Sequence, residues 1–145
     1  MSADNDCLAA VKARWDADAI LPALVSAKLQ AGRLKSPQTL PYAHVMSEQG
    51  PRPNEYQIPA VTGGTYVDYR RVTLTARGLK ADVDAILDRV VVVFDWKLFT
   101  VPNAALLHCM PLGAPMLAED PATKEGSDIW VGTAAYELMT QRIVP

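Results

Sequence analysis

Apolar residues along this chain recur with two different periods, and the period changes several times. Near the start, Leu8, Val11 and Trp15 step by three and four, which is one face of a helix. The spacing predicts a first helix running to about Trp15, with Asp4 or Asp6 as its cap. Asp16 to Asp18 supply a break, and a second helical segment is expected from Ala19 to about Ala31. Its apolar side carries Ile20, Leu21, Leu24, Val25 and Leu29. Pro22 falls in its first turn, where a missing N–H costs little, and Gly32 is placed to end it. The period then shortens. Leu40 to Ser47 reads as a short strand, and 48–64 as a long loop carrying three prolines and three glycines.

Gly63-Gly64 opens a longer strand, Thr65 to Ala76. In its second half Val72, Leu74 and Ala76 alternate with Arg71, Thr73 and Thr75. In its first half Val67 and Tyr69 fall on the opposite face, with no evident core to enter. A bulge near Tyr69 to Arg71 would reconcile the halves, or the first half pairs elsewhere. From Leu79 to about Phe94 the helical period returns, placing Leu79, Val83, Ile86, Leu87, Val90, Val91 and Phe94 on one stripe. Gly78 is the expected N-cap, and the valines at 90–93 blur the end because β-branched residues also suit strands. Leu98 to Met110, Met116 to Glu119 and Asp128 to about Ile143 then read as extended, the last with Trp130, Gly132, Ala134, Tyr136 and Leu138 on one face. This order predicts an α+β fold: a mainly antiparallel sheet, N-terminal helices, and one amphipathic helix packed on a face. The 145 residues fit one domain, 1–145, large enough to bury roughly 70% of its unfolded surface.

Charge and chemistry narrow the function by exclusion. The formal net charge is −2, without the basic excess that phosphate contacts demand, so direct sequence-specific nucleic-acid binding is not expected. Apolar runs such as Val90 to Phe94 are far too short to cross a bilayer, and the start MSADNDC shows no signal-peptide pattern. Two cysteines, Cys7 and Cys109, read as reduced, partly buried thiols. His108 and Cys109 are neighbours on a strand and so point to opposite faces, and no Cys-x-x-Cys spacing exists, so no metal or cofactor is expected. Asp84 and Asp88 share a helix face one turn apart, the pattern of a solvated surface. Nucleophile-elbow and phosphate-loop patterns are missing, and no catalytic residue is assigned. The aromatics Trp15, Trp96, Trp130, Tyr66, Tyr69 and Tyr136 read as packing residues, some of them candidates to anchor a subunit interface.

The dispersed stretches Leu40 to Val45, Tyr66 to Leu74, Ala81 to Leu87 and Asp128 to Tyr136, running on to Arg142, together resemble the tail-terminator (tail-completion) proteins of long-tailed bacteriophages. The resemblance is a pattern of elements covering most of the chain, and the Pro-rich loop at 50–59 matches no feature of that family. It implies a structural virion protein with no chemistry, made in a host bacterial cytoplasm. Its partners would be further copies of itself in a ring, commonly a hexamer, together with the tail tube protein and a head-completion or neck protein. The alternatives are another neck or minor tail component, a non-viral adaptor of the same fold, or, behind these, a small enzyme with a site built on Asp84, Asp88 or His108. The subunit or partner interface is expected at Tyr66, Val67, Tyr69, Arg70 and Arg71, with a second patch near the turns at 111–127.

Overall fold

The computed structural model describes residues 2–33, 39–50, 52–53, 55–56, 63–120 and 128–143. Helix α1 spans Ala3–Ala17 and helix α2 Lys80–Phe94. The strands are β1 (Gln30–Ala31), β2 (Tyr42–Gln49), β3 (Glu55–Tyr56), β4 (Thr65–Gly78), β5 (Ala105–Pro111), β6 (Met116–Glu119) and β7 (Trp130–Ile143). All seven belong to one sheet of order β1-β2-β4-β7-β5, with β3 added to β4 and β6 to β7. Only β1 and β2 pair in parallel; every other pairing is antiparallel, so the α+β class expected from the periods is the class observed.

The frame is the ladder between β4 and β7, which runs unbroken from Thr65↔Ile143 to Gly78↔Trp130. Along it Val72, Leu74, Ala76, Ala134, Tyr136 and Leu138 share one face and are buried. Both helices lie on that face, α1 against β2 and α2 across β4 and β7. Of the stripe read from the sequence, Val83, Ile86, Leu87, Val90 and Phe94 enter the core, whereas Leu79, before the helix, is exposed and Val91 half-buried; Asp84 and Asp88 are exposed. Gly132 lets α2 come close. A Cβ there would stand 2.5 Å from Val83 Cγ1 and 2.8 Å from Leu87 Cδ1, and the branched Val83 has little freedom to move aside.

Several expectations are corrected. The segment 19–31 is not a second helix. Asp18 accepts from the backbone N–H groups of Ile20 and Leu21, a single 3-10 turn follows at Leu21–Leu24, and the chain then extends. Tertiary pairing overrides helical periodicity here. The Ser26 N–H donates to the Pro41 carbonyl, its hydroxyl donates to the Leu40 carbonyl, and Gln30 and Ala31 pair with His44 and Val45. Gly32 is left-handed, but at the end of β1. Ser2, not Asp4 or Asp6, caps α1, because those two acids are occupied elsewhere. Gly78 ends β4, and Leu79 occupies the N-cap position of α2. No bulge interrupts β4; the irregularity lies in β5, between Leu106 and His108. The extended run from Leu98 begins with a bridge between Val101 and Ala104 before β5 proper. Within the expected loop 48–64, residues 48–49 belong to β2 and 55–56 to β3, while 51, 54 and 57–62 lie outside the described residues. The polar turn at 121–127 also lies outside them.

Candidate functional site

The expected interface residues all sit in the first half of β4, and strand alternation divides them between the two faces of the sheet. Tyr66 and Arg70 share the helix-covered face with Asp68, Thr140 and Arg142, whereas Val67, Tyr69 and Arg71 point to the outer face. Val67 is 4% exposed and Tyr69 2%, so both do find a core. It is supplied by the chain itself. Gly50 donates its N–H to the Tyr69 carbonyl, the Arg52 guanidinium lies 4.9 Å from the Tyr69 ring centre, and β3 pairs with β4 at Tyr66 and Val67. Arg52 then reaches over to Glu137 at 3.0 Å. The change of apolar face along β4 is therefore met by the returning chain, without a bulge. Of the five residues, Arg71 is the one left fully on the surface.

On the helix-covered face, the same end of the sheet holds a buried ionic cluster. Arg142 donates to Asp6 at 2.8 Å, and both are nearly inaccessible. Arg70 grips Asp68 with two hydrogen bonds of 2.9 and 3.1 Å and also approaches Asp4, which accepts from the Ser47 hydroxyl. The cluster ties the first turn of α1 to β2, β4 and β7. Cys7 lies beside it, and burial pushes its thiol up to about 11 even though Arg142 pulls the other way. Cys109, on the inner face, is likewise pushed up to about 12 by burial. Neither thiol forms a nucleophilic thiolate at neutral pH. His108 lies on the outer face and Cys109 on the inner, as strand alternation requires. Among the described residues, no group of three or more His, Cys, Asp or Glu side chains is arranged to hold a metal ion, and no helix is long and apolar enough to cross a membrane. A cleft of about 710 Å³ opens beside Thr65, Asn103 to Ala105 and Gln141 to Ile143. It carries no pair of titratable groups suited to acid–base work.

The outer face divides into two halves. Near Tyr69 and Glu137 it is met by Gly50, Arg52 and β3. Beyond the charged row Glu48, Arg71, Glu137 it is bare, and no described element lies over it. There the registers bring Met46, Thr73 and Ala135 into one row, and His44, Thr75, Thr133 and Met116 into the next. Met46 is 45% exposed and Met116 72%. Every methionine after the first residue, Met46, Met110, Met116 and Met139, is on this outer side. Beside β5, Trp96 is 62% exposed and meets the His108 ring edge-on, and Leu107, in the β5 irregularity, is exposed as well. Sequence reading did not single out Met46 or Leu107, although Met116 falls within the patch expected at 111–127 and Trp96 is among the aromatics read as interface candidates. The signal for Met46 is strand parity, which assigns these methionines to the outer face only once the register is known.

No family model matches the sequence. No curated protein matches it either. Among solved structures, the fold is similar to a chain of the virion of a native gene transfer agent (GTA) particle, with a TM-score of 0.64 and 17% identity. The likeness covers 92% of this chain and 93% of that one, so the two share the architecture from end to end.

Proposed function

We infer that this protein is a structural component of a phage-like particle, a terminator that caps the tail tube and joins it to the neck proteins as a ring of identical subunits. The observation that carries this reading is the whole-length fold likeness to a chain of a gene transfer agent virion. It agrees with the pattern of elements that resembles tail terminators. The molecule's surfaces are of the kind this work requires: an uncovered, nearly uncharged sheet face and an apolar edge on a rigid frame. Arg71 borders that outer half, and we place it at the rim of a subunit contact, while Tyr66 and Arg70 lie on the opposite, helix-covered face. Val67 and Tyr69 act from beneath by holding Arg52 and β3 in place.

The test is direct. Tubes are polymerised from the tail-tube protein encoded nearest to this chain, incubated with it, and viewed by negative-stain electron microscopy. A ring of density at one end of each tube, with tubes shortened when the protein is present during polymerisation, is the expected result. Bare tube ends at saturating protein overturn the terminator reading. Binding to a head-completion protein with no affinity for tubes would move the chain to another position in the neck.

A further inference from the structure

On the outer face the register lines up Glu48, Arg71, Glu137 and Met110 across four strands. A pocket of about 170 Å³ opens on this row, lined among the described residues by Gly50, Arg52, Arg71, Met110, Leu112 and Glu137. Its most deeply buried wall is Glu137, at 4% exposed. One carboxyl oxygen, Oε2, accepts from Arg52 at 3.0 Å, and His108 Nε2 stands 3.7 Å from that same oxygen, too far for a hydrogen bond. The other, Oε1, is shut off from solvent and accepts from no described residue. A buried acceptor left unmet is costly, and more so on a charged group. Arg71 is half-exposed and reaches Glu48 only at 3.9 Å, so its N–H groups are largely uncommitted. We propose that this pocket binds a phenol ring, the tyrosine side chain of a partner protein lying on the outer face, with its hydroxyl donating to Glu137 Oε1 and accepting from Arg71.

Three observations select this group. The pocket presents an acceptor and a donor together, and a hydroxyl, which both donates and accepts, meets Glu137 and Arg71 at once. An ammonium or guanidinium can only donate, and it would face two guanidiniums, Arg52 and Arg71, against one carboxyl group. A carboxylate can only accept, and it would meet Oε1 as a second acceptor. The remaining walls favour a ring over an aliphatic alcohol. Met110 and Leu112 supply apolar surface, a thioether makes favourable contacts with aromatic rings, and a guanidinium lies well on a ring face, as Arg52 already does 4.9 Å from the Tyr69 ring centre. Size points the same way. Cavities of about 150 Å³ accept a benzene ring, whereas sites for whole drug-sized ligands run to roughly 300–1,000 Å³. A pocket this small takes one group of something larger, and the bare half of the sheet face beside it gives the rest of a protein room to lie. Because Oε1 is closed to solvent, the hydroxyl reaches it as the flexible Met110 and the half-exposed Arg52 side chains adjust. The proposal needs a protein on the outer face but not a tail tube, so it stands apart from the terminator reading.

The experiment is an amide NMR titration of the full chain with N-acetyl-tyrosinamide, N-acetyl-phenylalaninamide and p-cresol as probes. The tyrosine derivative is expected to bind at millimolar concentration and to shift the amides of Gly50, Arg71, Leu112 and Glu137. The phenylalanine derivative, which lacks the hydroxyl, is expected to bind about tenfold more weakly. Arg71→Met, at a half-exposed position, is expected to keep the fold and to remove that preference without weakening the phenylalanine derivative. Leu112→Glu, at an exposed position, puts a charge in the apolar wall and is expected to abolish binding of both rings. Equal affinity of wild type for the two derivatives overturns the proposal. So do shifts centred elsewhere on the chain, or no shift at the solubility limit of the probes. Binding of p-cresol with exclusion of N-acetyl-tyrosinamide overturns the partner protein, since a backbone could not then lie above the ring. Tube binding is scored separately: a chain that binds the ring but ignores tubes keeps this site and loses the terminator reading, and one that caps tubes without binding the ring does the reverse.

Discussion

At the scale of single residues, the polar interior of this protein is concentrated where α1 meets the sheet. Arg142 and Asp6 sit 136 positions apart in sequence and are joined in a buried pair. Taking one partner away leaves the other charge without compensation, a loss that far exceeds the net worth of the pair itself. Arg142→Met, which keeps most of the volume, is expected to cost about 3–5 kcal/mol in chemical denaturation. A second prediction concerns Asp18. The Arg89 guanidinium and the N–H groups of Leu21 and Ile20 hold its carboxyl well below the ordinary value of 3.8. Because the folded-state value is depressed, the stabilisation is fully present above about pH 4 and is lost as the pH falls through the folded value. Removing the guanidinium with Arg89→Gln is expected to flatten the acid limb of the stability profile below about pH 4, measured by urea denaturation at stepped pH. An unchanged slope there would show that the pairing does not persist in solution.

At the scale of elements, α2 is the piece whose sequence and structure agree most closely. Its stripe recurs at three and four over fifteen residues, and the valines that blur its end on propensity alone are resolved by packing. Val90 and Val93 are buried, Val92 is exposed, and the helix closes with the Asp95 N–H donating to the Val91 carbonyl. Leu87→Ala is expected to cost about 2–5 kcal/mol, read from the denaturation midpoint. A loss below about 0.5 kcal/mol would contradict its place in the core. The segment 19–31 shows the opposite case. Its residues also recur with a helical period, but the run is short and contains Pro22. The edge of β2 offers it backbone partners that a helix on that side would leave unused. Similar apolar spacing thus produces a helix where the stripe has a sheet beneath it, and an extended segment where the sheet needs an edge.

At the scale of the whole molecule, the sheet has helices on one face, and the described residues cover only part of the other. That asymmetry links the fold to assembly. The prediction at this scale is the cap itself: Met46→Lys combined with Met116→Lys, both at well-exposed positions, is expected to keep the fold and lose the density at tube ends, read by negative-stain electron microscopy.

The sequence by itself determined what depends on local spacing: both α-helices, the long strands and their core-facing parity, the α+β class, and the absence of motifs for nucleophilic or phosphate chemistry in the chain. These are properties of neighbours three, four or two residues apart, and periodicity reads them directly. It also marked β4 as a strand with two apolar faces, without saying what would cover the second. Only the tertiary structure decided that Arg52 and the chain around it return to bury Tyr69, and that 19–31 serves the β2 edge. The same structure sent Asp4 and Asp6 to Arg70 and Arg142 instead of to a cap, and left the face around Met46 and Met116 open. Each of these joins residues tens of positions apart, and register and topology, which fix such pairings, leave no trace in the local pattern.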